Sequence, residues 1–181
     1  KPKKIITLML NKPAGIISTV SDERGRGKVT DLLPEKYRQL RLYPVGRLDK
    51  DSTGLLLLSN DGELAYRLTH PRYEYEREYL VHIRGKLKSE EKRKLGRGLM
   101  LEDGMTHPAK IREVKSAEPF NYSITIHEGR KRQVRRMFER LGHRVLALKR
   151  VRLGNLNLGN LAERKTRELS AQEVKTLLNQ A

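Results

Sequence analysis

The stretch Tyr43-Pro44-Val45-Gly46-Arg47-Leu48-Asp49-Lys50-Asp51-Ser52-Thr53-Gly54-Leu55-Leu56-Leu57-Leu58-Ser59-Asn60 decides how this chain is read. Leu55 to Ser59 is a continuous apolar run closed by Asn60-Asp61-Gly62, the pattern of a buried strand ending in a turn. Tyr43-Pro44-Val45 leads into the stretch as a short strand. Between them lies a loop of charged and hydroxyl residues, held by a strand on either side. Rigid scaffolds present reactive side chains on such loops. Asp49 is therefore a candidate reactive carboxylate. A turn Asp that accepts hydrogen bonds from local N–H groups fits the same spacing.

Working outward, Ile5 to Leu10 reads as a strand that stops at Asn11-Lys12-Pro13-Ala14-Gly15. Ile16 to Val20 reads as a second strand, Ser21 to Lys28 as a mobile basic loop, and Asp31 to Leu40 as a helical turn broken by Pro34. Downstream, Glu63 to Leu68 is a short helix with Leu64, Ala65 and Leu68 on one face, stopped before Pro71. Glu78 to Arg84 alternates, placing Tyr79, Val81 and Ile83 together. Ser89 is placed to cap a helix over Glu90 to Arg97. Asn121 to His127 alternates again, with Tyr122, Ile124 and Ile126 inward. Val145 to Leu153 is a further strand, and the capping box Ser170 to Glu173 opens a last helix. The fold class expected is α/β in the α+β sense: a mixed, mostly antiparallel sheet flanked by helices. Residues 1–181 are read as one domain whose two halves share a central cleft.

The chain has 181 residues, with 39 Lys and Arg against 22 Asp and Glu, a net charge of +17. That balance points to a polyanionic partner. There is no cysteine, which excludes disulfides, zinc–thiolate sites and thiol nucleophiles. No apolar run approaches the roughly 18 residues of a membrane span, and the charged start lacks the apolar region of a secretory signal. A cytoplasmic protein is expected, without a membrane role. Because the chain starts without Met, it is read as a trimmed piece of something longer. Gly27-Lys28 fails as a phosphate-binding P-loop, since Asp22 and Val29 occupy its required Gly and Ser/Thr positions. The five histidines are scattered along the sequence, and no metal site is expected.

Arg130 to Leu141 reads as one amphipathic helix, with Val134, Met137, Phe138 and Leu141 at i, i+3, i+4 and i+7. Six basic residues fall within its first eleven positions: Arg130, Lys131, Arg132, Arg135, Arg136 and Arg140. Like charges so close repel, and a phosphate backbone would relieve the repulsion. On a helical wheel Arg135 lies at the edge of the apolar stripe, so it is expected to turn into a cleft, with Arg132 and Arg136 facing outside.

Four segments, taken together and in order, resemble the RNA pseudouridine synthases. Leu10-Asn11-Lys12-Pro13-Ala14-Gly15 matches the opening of the catalytic domain in the RsuA branch. Gly46-Arg47-Leu48-Asp49 with Ser52 to Leu57 looks like the signature loop, and Arg77-Glu78-Tyr79 like the second motif. Glu128 to Met137 resembles the third. The stretch Tyr43 to Leu64 and Leu101-Glu102-Asp103-Gly104 are most similar to the RluB subgroup, which modifies large-subunit ribosomal RNA. The N-terminal S4 RNA-binding domain common in that branch is read as absent or removed.

The resemblance implies a catalytic fold with a central cleft, a cofactor-free isomerisation of uridine to pseudouridine, and no metal. It implies a ribosomal RNA partner presenting a flipped-out uridine in a stem-loop, and a monomeric enzyme. Asp49 would be the nucleophile, Arg135 the cation that keeps it ionised, and Tyr79 the residue packed on the flipped base and helping remove the C5 proton. Arg47, pointing away from Asp49 in an extended chain, would contact RNA or fill the vacated stack. Arg130, Lys131, Arg132 and Arg136 would bind RNA, and Asp51 is read as loop structure. The alternatives are the same activity on 16S rRNA or tRNA, and a non-catalytic RNA-binding protein of ribosome assembly.

Overall fold

The structure, a computed structural model, describes residues 4–20, 25 and 27–179. The first half contributes β1 (Thr7–Lys12), α1 (Glu35–Arg38), β2 (Tyr43–Val45), β3 (Thr53–Ser59), α2 (Gly62–Thr69) and β4 (Arg77–Ile83). Then come α3 (Ser89–Arg97), β5 (Met100–Leu101), β6 (Gly104–Met105), β7 (Lys110–Glu113) and β8 (Tyr122–Ile126). The chain closes with α4 (Gln133–Arg140), β9 (Val145–Leu153), β10 (Leu156–Asn157), β11 (Thr166–Glu168) and α5 (Ala171–Leu178).

The expected mixed, mostly antiparallel sheet is present. Its order is β11-β1-β3-β9-β4-β8-β7, with β2 on β3 and β10 on β9. Among the strands of the described residues only β3 and β9 run parallel, paired at Thr53–Lys149 and Gly54–Arg150. The Leu run explains that central place. Leu55 to Leu58 are all fully buried, so β3 is covered on both faces, as a strand without alternation must be. Each buried leucine stabilises the fold by about 1.5–3 kcal/mol.

Three apolar clusters cover the sheet. Leu55 and Leu57 pack with Leu64 and Leu68 of α2 and Leu177 of α5. Leu56 and Leu58 pack on the other face with Leu8, Leu10, Val29, Leu33, Leu42 and Leu48. The third cluster joins β4 and β8 to Val134, Met137 and Phe138 of α4. Tyr79 packs against this cluster and the second, so it stands between the outer strands and the central leucines.

Three local readings are corrected. Ile16 to Val20 forms no strand: Ile17 makes one isolated parallel bridge to Lys28, and its neighbour Ser18 spends its hydroxyl on Leu48. Most of the loop expected from Ser21 to Lys28 lies outside the described residues. Ser89 is the first helical residue rather than the cap, and the Glu91 carboxylate accepts the Lys88 N–H instead. The basic helix begins only at Gln133. Glu128 holds the preceding turn by accepting from the Arg130 guanidinium (3.0 Å), the Gln133 amide (2.9 Å) and the His107 N–H (2.6 Å). Arg132 then turns the chain in the left-handed region at φ 51°. Arg130, Lys131 and Arg132 are thus loop residues with freedom to reach sideways.

Candidate active site

The Gly46–Ser52 loop is pinned from beneath. The Ser18 hydroxyl donates to the Leu48 carbonyl and accepts the Leu48 N–H, at 2.9 and 3.1 Å. The Lys12 ammonium, 0% exposed, donates to the carbonyls of Pro13 (2.8 Å), Lys50 (3.3 Å) and Ser52 (2.7 Å). Burial pushes the Lys12 ammonium down to about 8, against the opposing pull of Asp51 and Asp49. The Gly15 N–H bonds the Lys50 carbonyl at 2.8 Å. Leu48 is buried while its neighbours stay open, so the loop is anchored at its middle and presents Arg47 and Asp49 to one side.

That side is a cavity of about 820 Å³, lined by Arg47, Asp49, Tyr79, Arg130, Lys131 and Arg132 among the residues singled out from sequence. Arg47 does not point away from Asp49: side chains two residues apart in extended chain share a side. Arg135 and Arg136 are not part of the lining.

The cation beside Asp49 is also different from the one expected. The Asp49 carboxylate, one-third exposed, pairs with Arg132 at 3.6 Å. Arg132 is therefore turned inward, where an outward-facing side chain was expected. It grips Asp51 with both fork nitrogens, at 3.0 and 3.1 Å. Arg135 is buried, as the wheel suggested, but its ion pair is with Asp51 at 3.6 Å, and it also donates to the Asp51 carbonyl at 3.1 Å. Its Nε is buried with no partner. The reason is the late start of α4: Arg135 runs under the loop, while Arg132, still in the turn, reaches over it. Asp51 is thus more than loop structure. The Arg132 fork holds its carboxyl below the usual range, and the same pair holds the Arg132 guanidinium up. Arg136 faces away from the cavity and grips Asp103 of the β5–β6 hairpin at 3.0 Å with each nitrogen.

Sequence reasoning missed further residues of this cavity. Arg77 lies beside Tyr79, donates to the carbonyls of Tyr75 and Leu68, and is pushed down by burial. Arg150 is buried and donates to the Leu55 carbonyl at 2.9 Å. Both are inward-facing charges on strands, a signal a single sequence shows only as a broken apolar alternation. The histidines are not all scattered: His107 and His127 sit with ring centroids 5.0 Å apart on the wall of the same cavity. The arrangement is a carboxylate and a phenol at the floor of a cleft walled by cations, suited to a polyanion that delivers one group inward.

Three comparisons bear on this geometry. The RNA pseudouridylate synthase family profile matches residues 6–140. The chain is 47% identical over 175 residues to the ribosomal large subunit pseudouridine synthase B of Bacillus subtilis, covering 95% of this chain and 71% of that protein. It is 44% identical over 173 residues to the protein of the same name from Pseudomonas aeruginosa, covering 94% of this chain and 45% of that one. A crystal structure of a pseudouridylate synthase superposes with a TM-score of 0.86 at 32% identity, covering 97% of this chain and 75% of that one.

Proposed function

The chain belongs to the RNA pseudouridylate synthase family, and from that premise we propose that it converts one uridine of large-subunit ribosomal RNA to pseudouridine, with Asp49 as the nucleophile. The observation that carries the assignment is a single cavity in which Asp49 and Tyr79 open among Arg47, Arg77, Lys131 and Arg132. In the reaction the N1–C1′ bond breaks, the uracil turns, and C5 bonds to C1′. The C5 proton leaves, N1 gains one, and no electrons change hands.

Each residue has a physical task in this reading. Arg47, Lys131 and Arg132 meet phosphates of a stem-loop, which offsets the few kcal/mol needed to flip out the uridine. Tyr79 packs on the flipped base, and its hydroxyl relays the C5 proton. Asp49 attacks as the nucleophile, with the Arg132 guanidinium 3.6 Å from its carboxylate to hold it in place. Arg135 acts one step back, holding the Asp51 end of the loop. In this reading residues 1–181 act as one catalytic domain, in a monomeric cytoplasmic enzyme that needs no cofactor.

The test is tritium release from C5-tritiated uridine in ribosomal RNA transcripts, with wild type and Asp49→Asn in parallel. Wild type is expected to release tritium from large-subunit RNA. Asp49→Asn is expected to release none while binding the same RNA with an affinity within about threefold, because the phosphate contacts remain. No release by wild type on any ribosomal transcript would sink the assignment. Release by Asp49→Asn would sink the role given to Asp49.

A further inference from the structure

The same cavity carries a constellation that uridine isomerisation does not call on. Glu74, His107 and His127 each offer one ligand atom, and the three atoms lie within 4.8 Å of one another. They come from three places far apart in sequence: the turn before β4, the turn after β6 and the end of β8. No hydrogen bond or ion pair joins the Glu74 carboxylate to either imidazole, although a carboxylate so near two histidines ordinarily takes one. The His127 Nδ1 is buried and has no partner. Two imidazoles and a carboxylate that converge without bonding one another leave a gap of the size of an ion. When three atoms lie within 4.8 Å of each other, some point is at most about 2.8 Å from all of them (4.8/√3). Zinc–ligand distances are about 2.0–2.2 Å, so closure needs movements below about 1 Å.

The chemistry selects the ion. Imidazole suits zinc, copper and nickel; magnesium and calcium take oxygen donors. Carboxylates stand beside the site as well as the cations of the cleft: Glu128 accepts the His107 N–H, and Arg130 is already paired with Glu128 at 3.0 Å and with Asp103 at 3.3 Å. Three protein ligands leave further positions open toward the cleft, where water or another donor completes the shell.

We propose that Glu74, His107 and His127 form a site for a divalent transition-metal ion of the zinc class, and that a bound ion keeps RNA out of the cleft. The second half rests on the reading of this cleft as the RNA path; the first does not. His107 and His127 share a cavity with Asp49, Arg47 and Arg132. A hydrated ion there occupies the space a phosphate backbone would enter and ties down the two side chains that could otherwise donate to it.

Calorimetric titration of zinc sulfate into the full chain, without RNA, tests the site directly. One strong equivalent is expected for wild type. His107→Ala and Glu74→Gln are each expected to weaken it at least about tenfold, as the loss of one ligand of three should. Cobalt chloride in place of zinc is expected to give visible absorption bands in wild type that His107→Ala abolishes. Glu74 is exposed, so Glu74→Gln keeps the fold even where a histidine change does not. Absence of a strong equivalent, or an equivalent that both variants retain, overturns the site. With RNA added, zinc is expected to weaken binding to wild type and to leave Glu74→Gln unaffected at the same zinc concentration. Equal weakening of both, or of neither, overturns the exclusion of RNA. Because calorimetry uses neither RNA nor turnover, failure of the metal site and failure of the assigned reaction are read separately.

Discussion

Lys12 shows how a single side chain sets the reactive loop. It is an ammonium at the end of a strand, fully buried, whose three acceptors are carbonyls of the turn after it and of the loop that carries Asp49. Its folded-state value of about 8 lies below the ordinary 10.5. Above pH 8 the folded protein has released a proton that the unfolded chain still holds, so stability rises with pH until about 10.5 and is flat, for this group, below 8. Between pH 7.5 and 9.5 this contributes about 1–2 kcal/mol. Lys12→Met is expected to be less stable than wild type at pH 7.5, because three carbonyls lose a donor, and to lack that rise. Urea unfolding of both proteins at the two pH values checks it; a parallel pH response would remove Lys12 as the cause. At this same scale the sequence was partly legible. Asp49 and Tyr79, which the motif resemblance grouped, both line one cavity. The partner of Asp49 was not, because an arginine side chain spans several ångströms, and only the path of the backbone decides which arginine arrives.

Among the elements, the join between β3 and β9 is where the fold tolerates least. Gly54 has φ 105°, a region other residues avoid, and a Cβ there would collide with the Arg150 backbone. Gly54→Ala is expected to cost at least about 3 kcal/mol, since it strains φ and forces apart the parallel pair at the centre of the sheet. Thermal unfolding should show a large fall in Tm or no soluble protein; a change of only a few degrees would mean that the strands part without penalty. The strands β3, β4, β8 and β9 were legible because each carries a long apolar run or a clean alternation. The start of α4 was not. Arg130 to Arg132 continue the helical spacing perfectly well, and it is Glu128, by taking three donors at once, that keeps them out of the helix. The run Ile16 to Val20 failed as a strand for the opposite reason: its composition suits a sheet, but Ile17 spends its N–H on the Gly27 carbonyl and its carbonyl on the Val29 N–H instead of on a strand.

For the whole molecule, the net charge of +17 is the dominant long-range property. It draws a polyanion toward every face, but the cleft concentrates cations on the two walls beside Asp49. If four or five of them meet phosphates, the logarithm of RNA affinity should fall with the logarithm of salt at a slope of about −3, at roughly 0.7 per phosphate. Filter binding of a ribosomal RNA stem-loop across a range of potassium chloride measures that slope. A flat response would mean that shape and stacking, not backbone charge, hold the RNA. No helix among the described residues is long and apolar enough to cross a membrane.

The amino-acid sequence by itself determined the fold class, the central strand and the loop that carries Asp49. These depend on local periodicity and on short contiguous motifs, which one chain displays without reference to anything distant. Only the tertiary structure decided that Arg132 and not Arg135 pairs with Asp49, that Lys12 holds the loop from below, and that Glu74, His107 and His127 converge. Those contacts join residues separated by tens of positions. They are set by where strands and turns stop in space, and no spacing along the chain encodes that distance.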